Sequence, residues 1–176
     1  MILRCTQKML DLLGAGQRDL VAAAPTDEDW YANLLWLDRR KCLLLAHAGT
    51  LFPIFVADVR KADLLPLGRV AVNLIHHELN AENLPPDILG ELDPGSVKLA
   101  RTASRTVLGY MNETARHCEY AIADQGGLER CDLEVLNREL RRELHLSRRP
   151  PGYFVPIDLV TAPLGGESRP NLKIVE

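Results

Sequence analysis

The chain has 176 residues, 47% of them hydrophobic and 26% charged, with a net charge of −3. That length and balance fit one domain with a real core and exclude a disordered chain. No apolar run approaches the roughly 20 residues that span a bilayer. The slightly acidic balance argues against a dedicated, non-specific nucleic-acid binder, though it leaves room for local basic patches. The opening Met1-Ile2-Leu3-Arg4-Cys5-Thr6 lacks the charged and then apolar segments of a secretory signal, so the expected location is the cytoplasm. Cys5, Cys42, Cys118 and Cys131 are scattered, with no C-x-x-C pair. In a reducing compartment they read as free thiols that behave as small hydrophobes. Their spacing gives no support to a metal site.

Met1 to Cys5 reads as a first strand, and Gln7 to Leu13 as a short helix stopped by Gly14. Ala15 to Asp29, with Gly16, Pro25 and an acidic cluster, reads as a loop. Three apolar runs follow, Trp30 to Leu37, Cys42 to Ala46 and Leu51 to Val56, separated by short polar breaks. They predict an antiparallel meander, with Pro53 favouring an edge position for the third strand. Leu67, Val70, Ala71, Leu74, Ile75 and Leu79 have helical spacing and predict a helix that ends before Pro85-Pro86. Asp87 to Leu92 is expected to add one helical turn, and Val97 to Thr102 another strand.

A long helix is then expected, capped by Thr102 or Ser104 and running to about Asp124, with Gly126-Gly127 as its stop. Asp132 caps a last helix through Leu133, Leu136, Leu140 and Leu144. From Ser147 the character changes to a Pro- and Gly-containing extension. The domain division is therefore 1–146 for a single domain and 147–176 for the extension. The extension reads either as a mobile tail or as a segment that packs back or assembles with a partner.

Tests for known chemistry fail one after another. His76-His77-Glu78 invites a metalloprotease reading, but Ala81 stands where the second zinc-binding histidine is required. Gly14-x-Gly16 opens no phosphate loop, and no G-x-S-x-G elbow is present. Cys42 and His47, five apart on a strand, face opposite sides. The sequence therefore assigns no catalytic residue, no cofactor and no metal ligand.

The candidate site lies on the long helix. Arg105, Gly109, Asn112 and Arg116 share a face at spacings of +4, +3 and +4. Arg105 brings a planar donor fork, Asn112 both donates and accepts, and Arg101 lies just upstream. A glycine inside a helix costs about 1 kcal/mol against alanine, so Gly109 is expected to be crowded by a neighbour. On one reading the face binds an anion or a backbone. On the other, Gly109 admits an internal strand or helix while Arg105 and Asn112 lock a loop. Arg39, Arg40, Arg60 and Lys61, at turns, complete the list of candidate binding residues. Short charge runs of this kind are also ordinary solvated surface.

Several blocks together carry a resemblance. They are Leu3-Arg4-Cys5-Thr6-x-Lys8, Trp30-Tyr31-Ala32-Asn33, Arg39-Arg40-Lys41-Cys42-Leu43-Leu44, His47-Ala48-Gly49-Thr50, Val59-Arg60-Lys61-Ala62-Asp63 and Ser104-Arg105-Thr106-Val107-Leu108-Gly109-x-Met111-Asn112. The chain resembles, over Met1 to His145, a family of small bacterial proteins known only as a domain of unknown function. The resemblance implies a stand-alone bacterial domain and carries no activity, cofactor or catalytic residue.

The expected architecture is α+β, a small, mainly antiparallel sheet packed against three or four helices. The leading functional expectation is a non-catalytic binding or regulatory protein that recognises nucleic-acid backbone or a protein partner. One rival is a hydrolase or nuclease acting on phosphate esters, with Arg105 stabilising charge and His47 or Glu113 moving protons. Another is an assembly protein that forms a homo-oligomer through residues 147–176.

Overall fold

Apolar residues in unbroken succession, rather than in alternation, mark strands covered on both faces. The segment Trp30–Leu37 (β2) is of this kind, and so is Arg40–His47 (β3). Only Asp38 and Arg39 separate them, at φ 45° and 64°. Two successive residues with positive φ make the tight turn whose twist matches an antiparallel ribbon. Pro53–Val56 (β4) pairs antiparallel with β3 and forms one edge, where a proline's missing N–H does least harm. Ile2–Cys5 (β1) lies parallel to β2, and Lys98–Arg101 (β5) lies parallel to β1 on its other side. The five-stranded order is β4-β3-β2-β1-β5. The computed structural model describes residues 1–148 and 151–162, and the rest of the extension lies outside the described residues.

The architecture is α+β, as expected. The meander supplies β2, β3 and β4, while the parallel pairings of β1 make the sheet mixed. One face carries Leu3, Cys5, Trp30, Ala32, Leu43, Leu45 and Ile54. It is covered by Gln7–Leu13 (α1), through Met9 and Leu10, and by Leu67–Ala81 (α2), through Ala71, Ile75 and Leu79. The other face carries Tyr31, Leu37, Cys42, Leu44, Ala46 and Phe55. It is covered by Arg105–Asp124 (α3) and Leu133–Arg142 (α4), through Val107, Met111, Cys118, Ile122, Leu136 and Leu140.

Helix ends follow the local chemistry. Gly14 stops α1 at φ 73°, Ser104 Oγ accepts the Val107 N–H, and Asp132 accepts the N–H groups of Glu134 and Val135. The helical turn expected at Asp87 to Leu92 is instead a pair of tight turns, with Ile88 bonded to Pro85 and Gly90 to Asp87. The strand expected from Leu51 begins at Pro53, and the last helix stops at Arg142, leaving Leu144 exposed.

A hairpin of His145–Arg148 (β6) and Pro151–Phe154 (β7) follows α4, and Pro156–Thr161 (α5) comes after it. The boundary drawn at Leu146 therefore falls inside β6. Phe154 and Leu159 join one core, and Val160 joins the other.

Candidate functional site

β1 and β5 run side by side in the same direction, with Cys5 opposite Arg101. After Cys5 the chain enters α1 on one face of the sheet, and after Arg101 it enters α3 on the other. Where the connections of neighbouring parallel strands part in this way, the strands' carboxyl ends are the expected place for a ligand crevice. The groups at this crevice are polar. Thr6 Oγ1 donates to Asn33 Oδ1 at 3.0 Å. Arg101 donates to Gln7 Oε1 at 2.6 Å and to Gln17 Oε1 at 3.3 Å. Tyr31 Oη accepts the Ser104 N–H at 3.1 Å, which ties the start of α3 to the sheet. Lys8 and Arg105, in the first turns of α1 and α3, are exposed and form no ion pair among the described residues.

A buried arginine braces these loops. Arg4 is 2% exposed and uses all three nitrogens of its guanidinium. Its Nε donates to Asp29 Oδ2 at 2.5 Å, Nη1 to the Arg101 carbonyl at 3.1 Å, and Nη2 to the carbonyls of Ala23 and Ala24. Asp29 also accepts from the N–H and hydroxyl of Thr26. A charge in a low-dielectric interior needs such complete pairing. The pair holds the carbonyl of Arg101, the last residue before the α3 loop, and so positions that loop.

The expected crowding of Gly109 is overturned. A methyl group built on Gly109 meets none of the described residues within 4 Å, and the residue is exposed. The glycine argument therefore gives the site no physical basis. Arg105, Asn112 and Arg116 lie exposed along the solvent side of α3 and lock no loop among the described residues. Of these, only Arg105 lies in the first turn of α3, four residues after Arg101, which ends β5.

The other cations divide by place. β4 runs in the direction of β2, so the turn after β4 and the β2–β3 turn leave the sheet at the same end as the crevice. Arg40 spends its charge on Asp58 at 2.8 Å and on Glu129, and these partners raise its pKa, the Asp58 bond most strongly. Lys61 places its ammonium beside Gly14 at the end of α1, where helix carbonyls welcome a cation. The Arg60 N–H donates to Asp63, and the side chains of Arg39 and Arg60 are exposed.

His47, Arg105 and Glu113 do not converge. His47 bonds Thr50 Oγ1 at 3.0 Å and packs on Trp30, while Glu113 faces His145. His76 and His77 form no metal pair, and no three His, Cys, Asp or Glu side chains among the described residues are placed to share an ion. Burial pushes the Cys5 and Cys118 thiols up to about 12, which makes them inert core groups.

Sequence reasoning passed over Thr6, Lys8 and Asn33 as site residues and missed the Arg4–Asp29 brace. The blocks Leu3-Arg4-Cys5-Thr6-x-Lys8, Trp30-Tyr31-Ala32-Asn33 and Ser104-Arg105-Thr106 meet at this crevice. Their convergence is the signal, and it requires the topology. The family model described as Domain of unknown function (DUF6933) matches residues 2–159 of the chain. No curated protein and no solved structure matches it. The chain belongs to the DUF6933 family.

Proposed function

We propose that this member of the DUF6933 family is a non-catalytic binding protein of the bacterial cytoplasm, and that it takes a phosphate-bearing ligand, a nucleic-acid backbone, at the crevice between β1 and β5. The observation that carries the reading is the pair of unspent cations, Lys8 and Arg105, in the first turns of helices that leave on opposite faces. Arg101 ends β5 and Thr6 is the N-cap residue of α1, at the carboxyl ends of the two neighbouring strands. Among the described residues Arg40 spends its charge on neighbouring carboxylates, whereas Lys8 and Arg105 meet none. Cations left open around a crevice at strand carboxyl ends suit an anion held from two sides. A phosphate diester offers that anion with no demand for a nucleophile or base. Hydrolysis would ask for a base beside Arg105, and the histidine named for that role is occupied elsewhere.

The test is binding of short single-stranded DNA and RNA by fluorescence anisotropy across a salt series. Phosphate contacts release counterions, so affinity should fall linearly on a log–log plot. Lys8→Ala and Arg105→Ala should each weaken binding and lower the slope by about 1. Arg116→Ala, further along α3, should leave both nearly unchanged. Absence of binding at about 50 mM salt, where such contacts are strong, would remove the nucleic-acid reading.

A further inference from the structure

Among the described residues, four buried polar atoms gather without a hydrogen-bond partner where β6 meets α3: Tyr110 Oη, Glu143 Oε2 and both ring nitrogens of His145. Native interiors rarely leave such groups unpaired, because each then loses its bonds to water without replacement. His145 is 2% exposed. Its ring stacks on Phe154 of β7 at 5.4 Å and meets the Tyr110 ring edge-on at 4.8 Å. Its Nδ1 lies 3.7 Å from Glu113 Oε2 and its Nε2 lies 3.8 Å from Glu143 Oε2, both too long for hydrogen bonds. The other oxygen of Glu143 is engaged by His117 Nδ1 at 2.5 Å. The imidazole thus sits in a slot of aromatic rings, with carboxylates near but out of reach.

We propose that the β6–β7 hairpin is an acid-released clasp, docked on α3 while His145 is neutral and undocked when its ring takes a second proton. The hairpin's inner face is the His145–Phe154 pair and its outer face the exposed Leu146–Tyr153 pair, so the inner pair is what docks it. A neutral ring loses little in such a slot. An imidazolium there would be a buried charge whose nearest carboxylates, at 3.7 and 3.8 Å, do not hydrogen-bond it, whereas released into water it would be fully solvated. The titratable groups that face the ring are Tyr110, Glu113 and His117 from α3 and Glu143 from the end of α4, and β7 contributes only Phe154. Burial lowers the pKa of His145 below its ordinary 6.5, and the two glutamates offset part of that. A base whose pKa is lowered on docking binds its proton more tightly when released. Docking is therefore at full strength above about pH 6.5 and weakens as the pH falls below it.

The test is amide hydrogen exchange on the full chain, corrected for the intrinsic rate at each pH. Between about pH 7.5 and pH 5.5, protection of the hairpin amides is expected to fall up to about tenfold, the limit for one linked proton. Protection of α2 should not change. His145→Phe, which keeps the stacking and loses the titration, should hold the hairpin equally at both values, while His117→Gln should behave as the parent. Equal hairpin protection at both values in the parent, an equal loss in His145→Phe, or a matching loss in α2 would overturn the clasp. Should His145→Phe fail to fold, the ring titration of His145 in the parent decides by nuclear magnetic resonance. A midpoint at or above the ordinary histidine value is then the overturning result.

Discussion

Arg4 sets the terms at the scale of single residues. Burying a guanidinium is justified only by partners that engage all three of its nitrogens, and here a carboxylate and three carbonyls do so. Replacing it by methionine keeps much of the volume but strands Asp29 and the carbonyls of Ala23, Ala24 and Arg101. Arg4→Met should cost about 3–5 kcal/mol in chemical denaturation. The double replacement Arg4→Met/Asp29→Leu removes the stranded charge and should recover part of that loss. If the two single losses simply add, Arg4 and Asp29 do not act as a pair. Gly109 makes the opposite case. None of the described residues crowds it, so Gly109→Ala should raise the unfolding free energy by up to about 1 kcal/mol through helix propensity alone. A lowered midpoint would show a contact the geometry lacks. The misreading of Gly109 has a plain cause, since a cost of that size is tolerable on a helix surface and demands no neighbour.

At the scale of elements, what was legible depended on whether the determinant was local. β2, α1, α3 and the Asp132 cap came out of the sequence nearly to the residue because apolar periods and capping side chains act within a few positions. The edge placing of β4 followed from Pro53. The parallel pairing of β1 did not, because Leu3-Arg4-Cys5 reads equally well as a strand with Arg4 facing water. The crevice was hidden for the same reason: its arginines were visible as charges, but their meeting with Thr6 and Lys8 depends on which strands lie side by side.

The edge of β4 shows another non-local device. The Asn137 carboxamide accepts the Phe55 N–H at 2.7 Å and donates to the Phe55 carbonyl at 2.9 Å, pairing with the strand as a neighbouring backbone would. An open edge invites pairing with other chains. Asn137→Leu leaves both backbone groups unpaired, so it should destabilise by roughly 2–6 kcal/mol, the sum of two such losses. It should also increase aggregation, read by light scattering during thermal unfolding. A variant of unchanged stability would mean that water replaces the carboxamide freely.

At the scale of the whole molecule, the sheet separates two cores, and something must bind the helix layers on its opposite faces to each other. Arg141 does this around the β4 edge. It is 2% exposed, lies over the Phe52 ring, and donates to Glu78 on α2 at 2.7 Å and to Glu82, the C-cap of α2, at 2.8 Å. Arg142 adds two bonds to the same Glu82. The Arg142 hydrogen bond is the largest influence holding the Glu82 carboxyl below its usual range, and Arg141 adds to it. A carboxyl with a lowered folded pKa contributes stability that is complete above its unfolded value, near 4.5, and fades as the pH falls through the folded value. Acid should therefore loosen the α2–α4 connection below about pH 4.5, well under the range in which the hairpin responds. Glu82→Gln should flatten the dependence of unfolding free energy on pH in that lower range and leave the upper range as it is. Were the two acid responses to move together in this variant, the layers and the hairpin would form one cooperative unit, and the edge connection would not be the separate element that its geometry describes.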